Sequence, residues 1–187
     1  MKRLLPVIAI VVFIGIMFVT WYIRGYNKVI RLNEDVKNSW AQVDTQLKRR
    51  YDLIPNLVET VKGYATHEKE LFENLANARK GYFQAGTIAG KAKSATQIEG
   101  FLSRLLMFRE TYPDLKANES FLKLQDTLEG SENRIAVERK RYNDSVKTLN
   151  TYIKSFYGRF FAARTGTTEA NYFEVAAVEK EAPKVKF

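Results

Sequence analysis

The residues whose types most invite a chemical reading are His67 and Glu68, which open the pattern His-Glu-x-x-His of a zinc-protease helix. The pattern fails at once, because position 71, where the second histidine is needed, is Leu71, and His67 is the chain's only histidine. There are no cysteines, which excludes disulfides, thiolate zinc sites, a thiol nucleophile and a lipid-modified cysteine anchor. No metal and no cofactor are expected, and His67 reads as a partly exposed helical histidine. Carboxylates are plentiful, but most stand opposite apolar stripes or beside a basic residue, as in Asp35/Lys37 and Glu138/Arg139/Lys140. Acid–base catalysis needs carboxylates held in a cleft with shifted pKa values, and the pattern shows none. Nor is there a Gly-rich phosphate loop or a nucleophile elbow. The chain therefore reads as a non-enzyme. A helical-bundle enzyme using core carboxylates or amides is the chemical alternative.

Amides near the apolar stripes are the other polar candidates: Asn38, Gln42, Asn56, Asn133, Asn143 and Asn150, with Glu59 beside them. A buried amide must be hydrogen-bonded, and in helical bundles it typically fixes register, so structural pairing is expected before a ligand pocket.

Charge narrows the partners. Lys plus Arg is 30 against 21 for Asp plus Glu, a formal net charge of +9. Such an excess suits an anionic lipid surface or a nucleic acid, or simply solubilises long helices. The basic residues are scattered among acids with no dense stripe, so no nucleic-acid partner is expected.

The elements that must position these residues begin with LLPVIAIVVFIGIMFVTWYI, twenty uncharged residues from Leu4 to Ile23. At about 1.5 Å per residue they span roughly 30 Å, the hydrocarbon thickness of a bilayer. Lys2 and Arg3 precede the run, Arg24 closes it, and Trp21 and Tyr22 fall where an interfacial aromatic belt lies. A cleaved signal peptide would have a shorter apolar region ending in small residues, so the bulky end favours a retained anchor. A buried core helix would show a polar stripe, which this run lacks. Lys2 and Arg3 flank one side and Arg24, Lys28, Arg31 and Lys37 the other, a count that leans towards a cytoplasmic domain. A short basic start before an apolar run is also the look of a secretory signal-anchor, so charge does not fix the orientation.

Beyond the anchor, Val29, Leu32, Val36, Trp40, Val43 and Leu47 lie on one helical stripe. Asp52 is expected to cap a second helix with Pro55 in its first turn, running from Ile54 to Tyr82. Gly81 to Ser94, with Gly86, Gly90, Lys91 and Lys93, reads as a loop. A third helix of about fifteen residues ends at Tyr112-Pro113. A fourth starts near Asn118 and carries apolar residues to Phe160, with Gly130 as its early weak point. The expected fold is all-α: an N-terminal transmembrane helix continuing into an antiparallel up-and-down four-helix bundle with long helices. The expected domains are an anchor over 1–24, a bundle over 25–164 and an irregular tail over 165–187. Pro183–Phe187 alternates apolar and charged residues and reads as an added strand or as disorder.

The run starting at Gly25, GYNKVIRLNEDVKNSWAQVDTQLKRRYDLIPNLVETVKGYA, resembles the LemA family of bacterial membrane-associated proteins. Its most specific piece is Gln46-Leu47-Lys48-Arg49-Arg50-Tyr51-Asp52-Leu53-Ile54-Pro55-Asn56-Leu57-Val58. Tyr112–Asn150, Tyr172-Phe173-Glu174 and Pro183–Phe187 match as well. The resemblance implies a bacterial inner-membrane, single-pass protein with an antiparallel helical bundle and no established enzymatic activity. Some family members carry a lipoprotein-type cysteine where this chain has its anchor, which implies an extracytoplasmic domain. The family often has a proline-containing turn after Ser-Phe. Here Ser155-Phe156 is followed by Tyr157-Gly158-Arg159-Phe160-Phe161, so the fourth helix is expected to continue to about Arg164.

Two groups of site residues follow. Membrane-interface candidates are Trp21, Tyr22, Arg24, Lys91, Lys93, Phe156, Tyr157, Arg159, Phe160, Phe161 and Arg164: aromatics for the interface and cations for lipid phosphate. The competing reading is that the aromatics merely close the bundle's end. The helix-turn motif comprises Arg50, Asp52, Pro55 and Asn56. The expected partners are the lipid bilayer, further copies of the chain, since a fourth helix of some forty residues outruns the third, and a membrane-protein partner. The expected role is a membrane-anchored scaffold or adaptor, with an accessory subunit of another membrane protein, such as a protease, as the alternative.

Overall fold

The chain's structure, a computed structural model, describes residues 4–173, and side chains from residue 8 onward. Among the described residues it is helical without strands, and its long N-terminal helix carries the apolar run. The elements are α1 (Leu4–Tyr51), α2 (Ile54–Lys62), α3 (Lys69–Gln84), α4 (Ile88–Thr111), α5 (Pro113–Lys116), α6 (Glu119–Lys154) and α7 (Phe156–Thr165). The contacts divide them into two compact units. One comprises 4–39 with Tyr142–Asn171, and the other Trp40–Arg141 with Tyr172 and Phe173. Each unit takes part of α1 and part of α6.

In the first unit α1 runs antiparallel to the chain that packs on it. Ser39 Oγ meets Ser145 Oγ at 2.8 Å, Lys28 Nζ stands 4.4 Å from the Tyr152 ring centre, and Trp21 packs on Tyr157 and Phe161. Val29, Val36, Val146, Leu149 and Ile153 are buried. Asn150, among the flagged amides, is 6% exposed and clamps Ala170 from both sides. Its Nδ2 donates to the Ala170 carbonyl at 2.8 Å and its Oδ1 accepts from the Ala170 N–H at 2.9 Å. That pair ties the non-helical segment after α7 back onto α6, the structural pairing expected of a buried amide. Asn143 is half-buried, while Asn38, Gln42, Asn56, Glu59 and Asn133 are exposed.

In the second unit α1, α3, α4 and α6 alternate in direction. Going up α1 from Asp44 to Tyr51, the partners go down α3 from Tyr82 to Arg79 and up α4 from Lys91 to Glu99. Arg109 of α4 reaches Gln125 of α6, while Arg50 bridges Glu99 and Glu132, so α4 and α6 are antiparallel. Leu47, Tyr51, Leu57, Leu75, Tyr82, Ile98, Leu102, Leu105, Phe121 and Leu128 form its buried interior.

Several boundaries differ from expectation. The segment Gly81–Ser94 is not a loop: α3 runs to Gln84, α4 starts at Ile88, and only residues 85–87 intervene. Thr87 caps α4, its hydroxyl accepting from the Gly90 N–H at 3.1 Å, so the glycine sits inside the first helical turn. The second helix is interrupted between Lys62 and Lys69, giving α2 and α3. Asp52 is not a cap; Leu53 holds the cap position with no side-chain bond, while Pro55 does fall in the first turn. Gly130 interrupts nothing, because α6 passes through it, and Asn118 Oδ1 caps α6 by accepting from Phe121 N at 3.0 Å. The fourth helix does not continue to Arg164. It stops at Lys154, Ser155 turns extended, and Ser155 Oγ accepts from Gly158 N at 3.1 Å to start α7. A Cβ at Gly158 would collide with the Tyr152 carbonyl, so the turn needs a glycine there. α7 ends at Gly166 in the left-handed region, φ 67°. The strand or disorder expected at Pro183–Phe187 lies outside the described residues.

Candidate functional site

The apolar run is bare. From Ile8 to Val19 its large side chains are 54–64% exposed. Where the run ends, α1 acquires a cover. Phe161, 1% exposed, lays its ring on Gly25 so closely that any Cβ there would enter the ring. Trp21 meets Phe161 at 5.1 Å and Tyr157 at 6.2 Å, and Tyr22 meets Phe161 at 5.7 Å and Phe160 at 6.5 Å, mostly in tilted or edge-on geometry. Such pairs add roughly 0.5–1.5 kcal/mol each beyond area burial. Glycine on α1 and glycine on α7 together allow this aromatic clasp to close.

The clasp also presents an outer face. Phe156 is 87% exposed, Tyr157 61% and Phe160 44%. Arg159 and Arg164 are exposed on the same short helix, and the Arg164 guanidinium lies 5.4 Å from the Phe160 ring centre. Arg24 and Lys28, both exposed, stand on α1 beside it. The structure thus brings together Trp21, Tyr22, Arg24, Phe156, Tyr157, Arg159, Phe160, Phe161 and Arg164 from the sequence candidates. Phe161 and Ala162 are buried in this packing, while Tyr157 and Phe160 touch Trp21 and Tyr22 yet stay exposed, as does Phe156.

Lys91 and Lys93 belong to the other unit and lie on α4, not in a loop. Lys91 Nζ bonds Asp44 Oδ1 at 2.7 Å and stands 5.5 Å from the Tyr82 ring centre; Lys93 is exposed. Lys91 is therefore committed to an internal ion pair.

The helix-turn motif resolves into a polar core that sequence reasoning did not find. Arg50, 6% exposed, pairs its Nη2 with Glu99 at 2.9 Å and its Nη1 with Glu132. Arg79 Nε donates to the Tyr51 carbonyl at 2.9 Å and its Nη2 to Asp52 at 3.2 Å, bracing the chain where α1 ends. Pro55 and Asn56 are exposed on α2. Burial pushes the Tyr51 hydroxyl pKa up, with the Glu99 charge adding to it. Tyr82 donates to Asp44 at 2.6 Å and is likewise raised, by burial first and by that carboxylate second. Burial alone would raise Asp44, but bonds from Lys48, Lys91 and Tyr82 outweigh it and hold it down at about 2. Arg50, Tyr51, Tyr82 and Asp44 each meet a partner on another helix, although the buried Arg50 Nε finds no acceptor, and such cross-helix pairing fixes helix register. His67 is exposed, and among the described residues no group of three or more His, Asp or Glu is placed to hold a metal ion.

The LemA family profile matches residues 39–187. The magnetosome protein MamQ of Magnetospirillum gryphiswaldense is 24% identical over 192 residues, covering 89% of this chain and 71% of that one. Magnetosome protein MamQ 2 of Paramagnetospirillum magneticum is 23% identical, covering 85% and 68%. Protein LemA of Metamycoplasma hominis is 21% identical, covering 89% and 76%.

Proposed function

The chain belongs to the LemA family, and from that premise we propose that it is a membrane-anchored, non-enzymatic helical scaffold or adaptor, with α1 through the bilayer and α7 at its surface. The observation that carries this reading is the bare apolar run ending at the aromatic clasp. Twelve large apolar side chains between Ile8 and Ile23 are exposed. Left in water they would forgo on the order of 20 kcal/mol of burial, more than a typical domain's whole stability. Lipid removes that cost, and among the described residues one helix is long and apolar enough to cross a membrane. Trp21 and Tyr22 then lie at the interface, and α7 adds exposed aromatics with Arg159 and Arg164 at the same level of α1.

The expected length argument for self-association lapses, because the C-terminal part of α6 is covered by α1 within the first unit. Self-association stays in the proposal on exposed Ile30, Leu122 and Val137. The adaptor role has a specific observation behind it: a groove of about 400 Å³ between α3 and α4, whose lining includes Glu68, Glu70, Leu71, Phe101, Arg104 and Met107, with Met107 60% exposed. A partner protein suits this open groove, whose lining sets apolar Leu71, Phe101, Met107 and Phe108 among charged Glu68, Glu70 and Arg104.

The test is alkaline carbonate extraction of full-length protein from cells, followed by mass measurement in nanodiscs. Retention in the pellet and a multimer or a co-purifying chain are expected. Release into the supernatant, or a strictly monomeric particle without a partner, overturns the corresponding half of the proposal.

A further inference from the structure

We propose that the groove alongside α1 and α7 binds one anionic phospholipid, with its phosphate on Arg24 and Lys28 and an acyl chain along Ile16, Met17 and Trp21. The inference rests on reading α1 as a membrane anchor. The groove holds about 540 Å³, and its polarity changes along its length. Ile16, Met17 and Trp21 line one part of it, and Arg24 and Lys28 line another, with Tyr157 and Phe161 on the opposite wall. Met17, Trp21, Arg24 and Lys28 are three or four residues apart, so they share one face of α1. By helical rise Arg24 lies about 10 Å beyond Met17 and Lys28 about 16 Å beyond it, matching the step from upper acyl methylenes to phosphate.

The two cations are available. Among the described residues neither Arg24 nor Lys28 is paired with a carboxylate, and Lys28 is steadied on the groove wall by the Tyr152 ring at 4.4 Å. Lys28 also lines an adjoining groove of about 550 Å³ with Lys147, a further donor, and with Thr148 and Ser155, whose hydroxyl oxygens can accept from headgroup hydroxyls while their own protons go to backbone carbonyls. Asp144 is the one carboxylate lining it. Two cations facing a phosphate favour a lipid with net negative charge. A choline or ethanolamine headgroup would bring its own cation up against Lys28 and Lys147.

Native mass spectrometry of the full chain released from nanodiscs tests the site, using phosphatidylcholine alone or with a minority of phosphatidylglycerol. One retained phosphatidylglycerol is expected, and no retained phosphatidylcholine. Arg24→Gln combined with Lys28→Gln should lower retention roughly thirtyfold, from the usual contribution of two basic side chains at an anionic surface. Arg31→Gln with Arg49→Gln, an equal charge change on exposed parts of α1, should leave it unchanged. Millimolar glycerol phosphate in solution should not displace the lipid. Retention that survives the groove substitutions, equal retention of phosphatidylcholine, or displacement by glycerol phosphate overturns the proposal. Carbonate extraction of the same groove variant keeps the two readings apart. Pelleting with lost retention supports the site, whereas release of the wild-type chain removes the anchor reading and the site with it.

Discussion

Around Gly25 the grip on α1 is made of carbon, with the Phe161 ring on the glycine and Trp21 and Tyr22 packed against that ring. Around Arg50 it is made of charge, with a buried guanidinium shared between Glu99 and Glu132 and Asp44 gripped by Lys48, Lys91 and Tyr82. The first kind of contact depends on shape and is indifferent to pH. The second depends on every charge having its counter-charge, because a lone buried ion is costly. A contact of carbon suits the point where, on the function proposed above, the helix leaves lipid. Ion pairs suit a helical unit that must keep one register.

Breaking the ionic grip should cost most. Arg50→Leu removes the guanidinium that Glu99 and Glu132 share, and should destabilise the second unit by about 3 kcal/mol, since both carboxylates retain some solvent contact. Urea unfolding followed by Trp40 fluorescence, in a Trp21→Phe background, measures it. Adding Glu99→Gln and Glu132→Gln should restore part of the loss, and no recovery would mean that Arg50 acts by packing alone.

On the carbon side, Gly25→Ala drives a Cβ into the Phe161 ring and should cost about 1–3 kcal/mol by overpacking. Its sharper form is a pair: Phe161→Leu should relieve the clash, so the double variant should be more stable than Gly25→Ala alone. Trp21 fluorescence in a Trp40→Phe background reports it, and additivity of the two losses would sink the close-approach argument.

Asn150→Ala should cost about 1–2 kcal/mol by stranding the Ala170 N–H and carbonyl. Hydrogen exchange at 167–171 should quicken while that at Val146 does not.

The smallest effect is that of pH. Asp44 is held near 2, below its ordinary value of 3.8, so its contribution is complete above about pH 4 and is lost as pH falls through about 2. The stability gap between the wild type and Asp44→Asn should therefore close over that window, and the clasp variants should show no such closing.

The contrast also explains what could be read from sequence. The stripe Val29, Leu32, Val36, Trp40, Val43 and Leu47 is legible because burial on one face imposes the helical period, and all but the half-buried Leu32 are buried. The aromatics of α7 are legible as a group because they stand close together in the chain. The start of α7 is not, since Ser155 and Gly158 act through a cap and a close backbone approach that no periodicity records. Gly86, Gly90 and their neighbouring lysines look like a loop by composition, and only the Thr87 cap shows where α4 begins. The partners of Arg50 lie 49 and 82 positions away on the polar flanks of other helices, and no local pattern announces such a meeting.

The placement of α1 in lipid with Trp21 at the interface is tested most directly by depth-dependent quenching. The full-length chain with Trp40→Phe would be reconstituted into vesicles whose lipids carry bromine either near the headgroup or near the end of the acyl chain. Trp21 should be quenched strongly by the shallow bromines and weakly by the deep ones. Emission untouched by either lipid would contradict the membrane anchor and everything built on it.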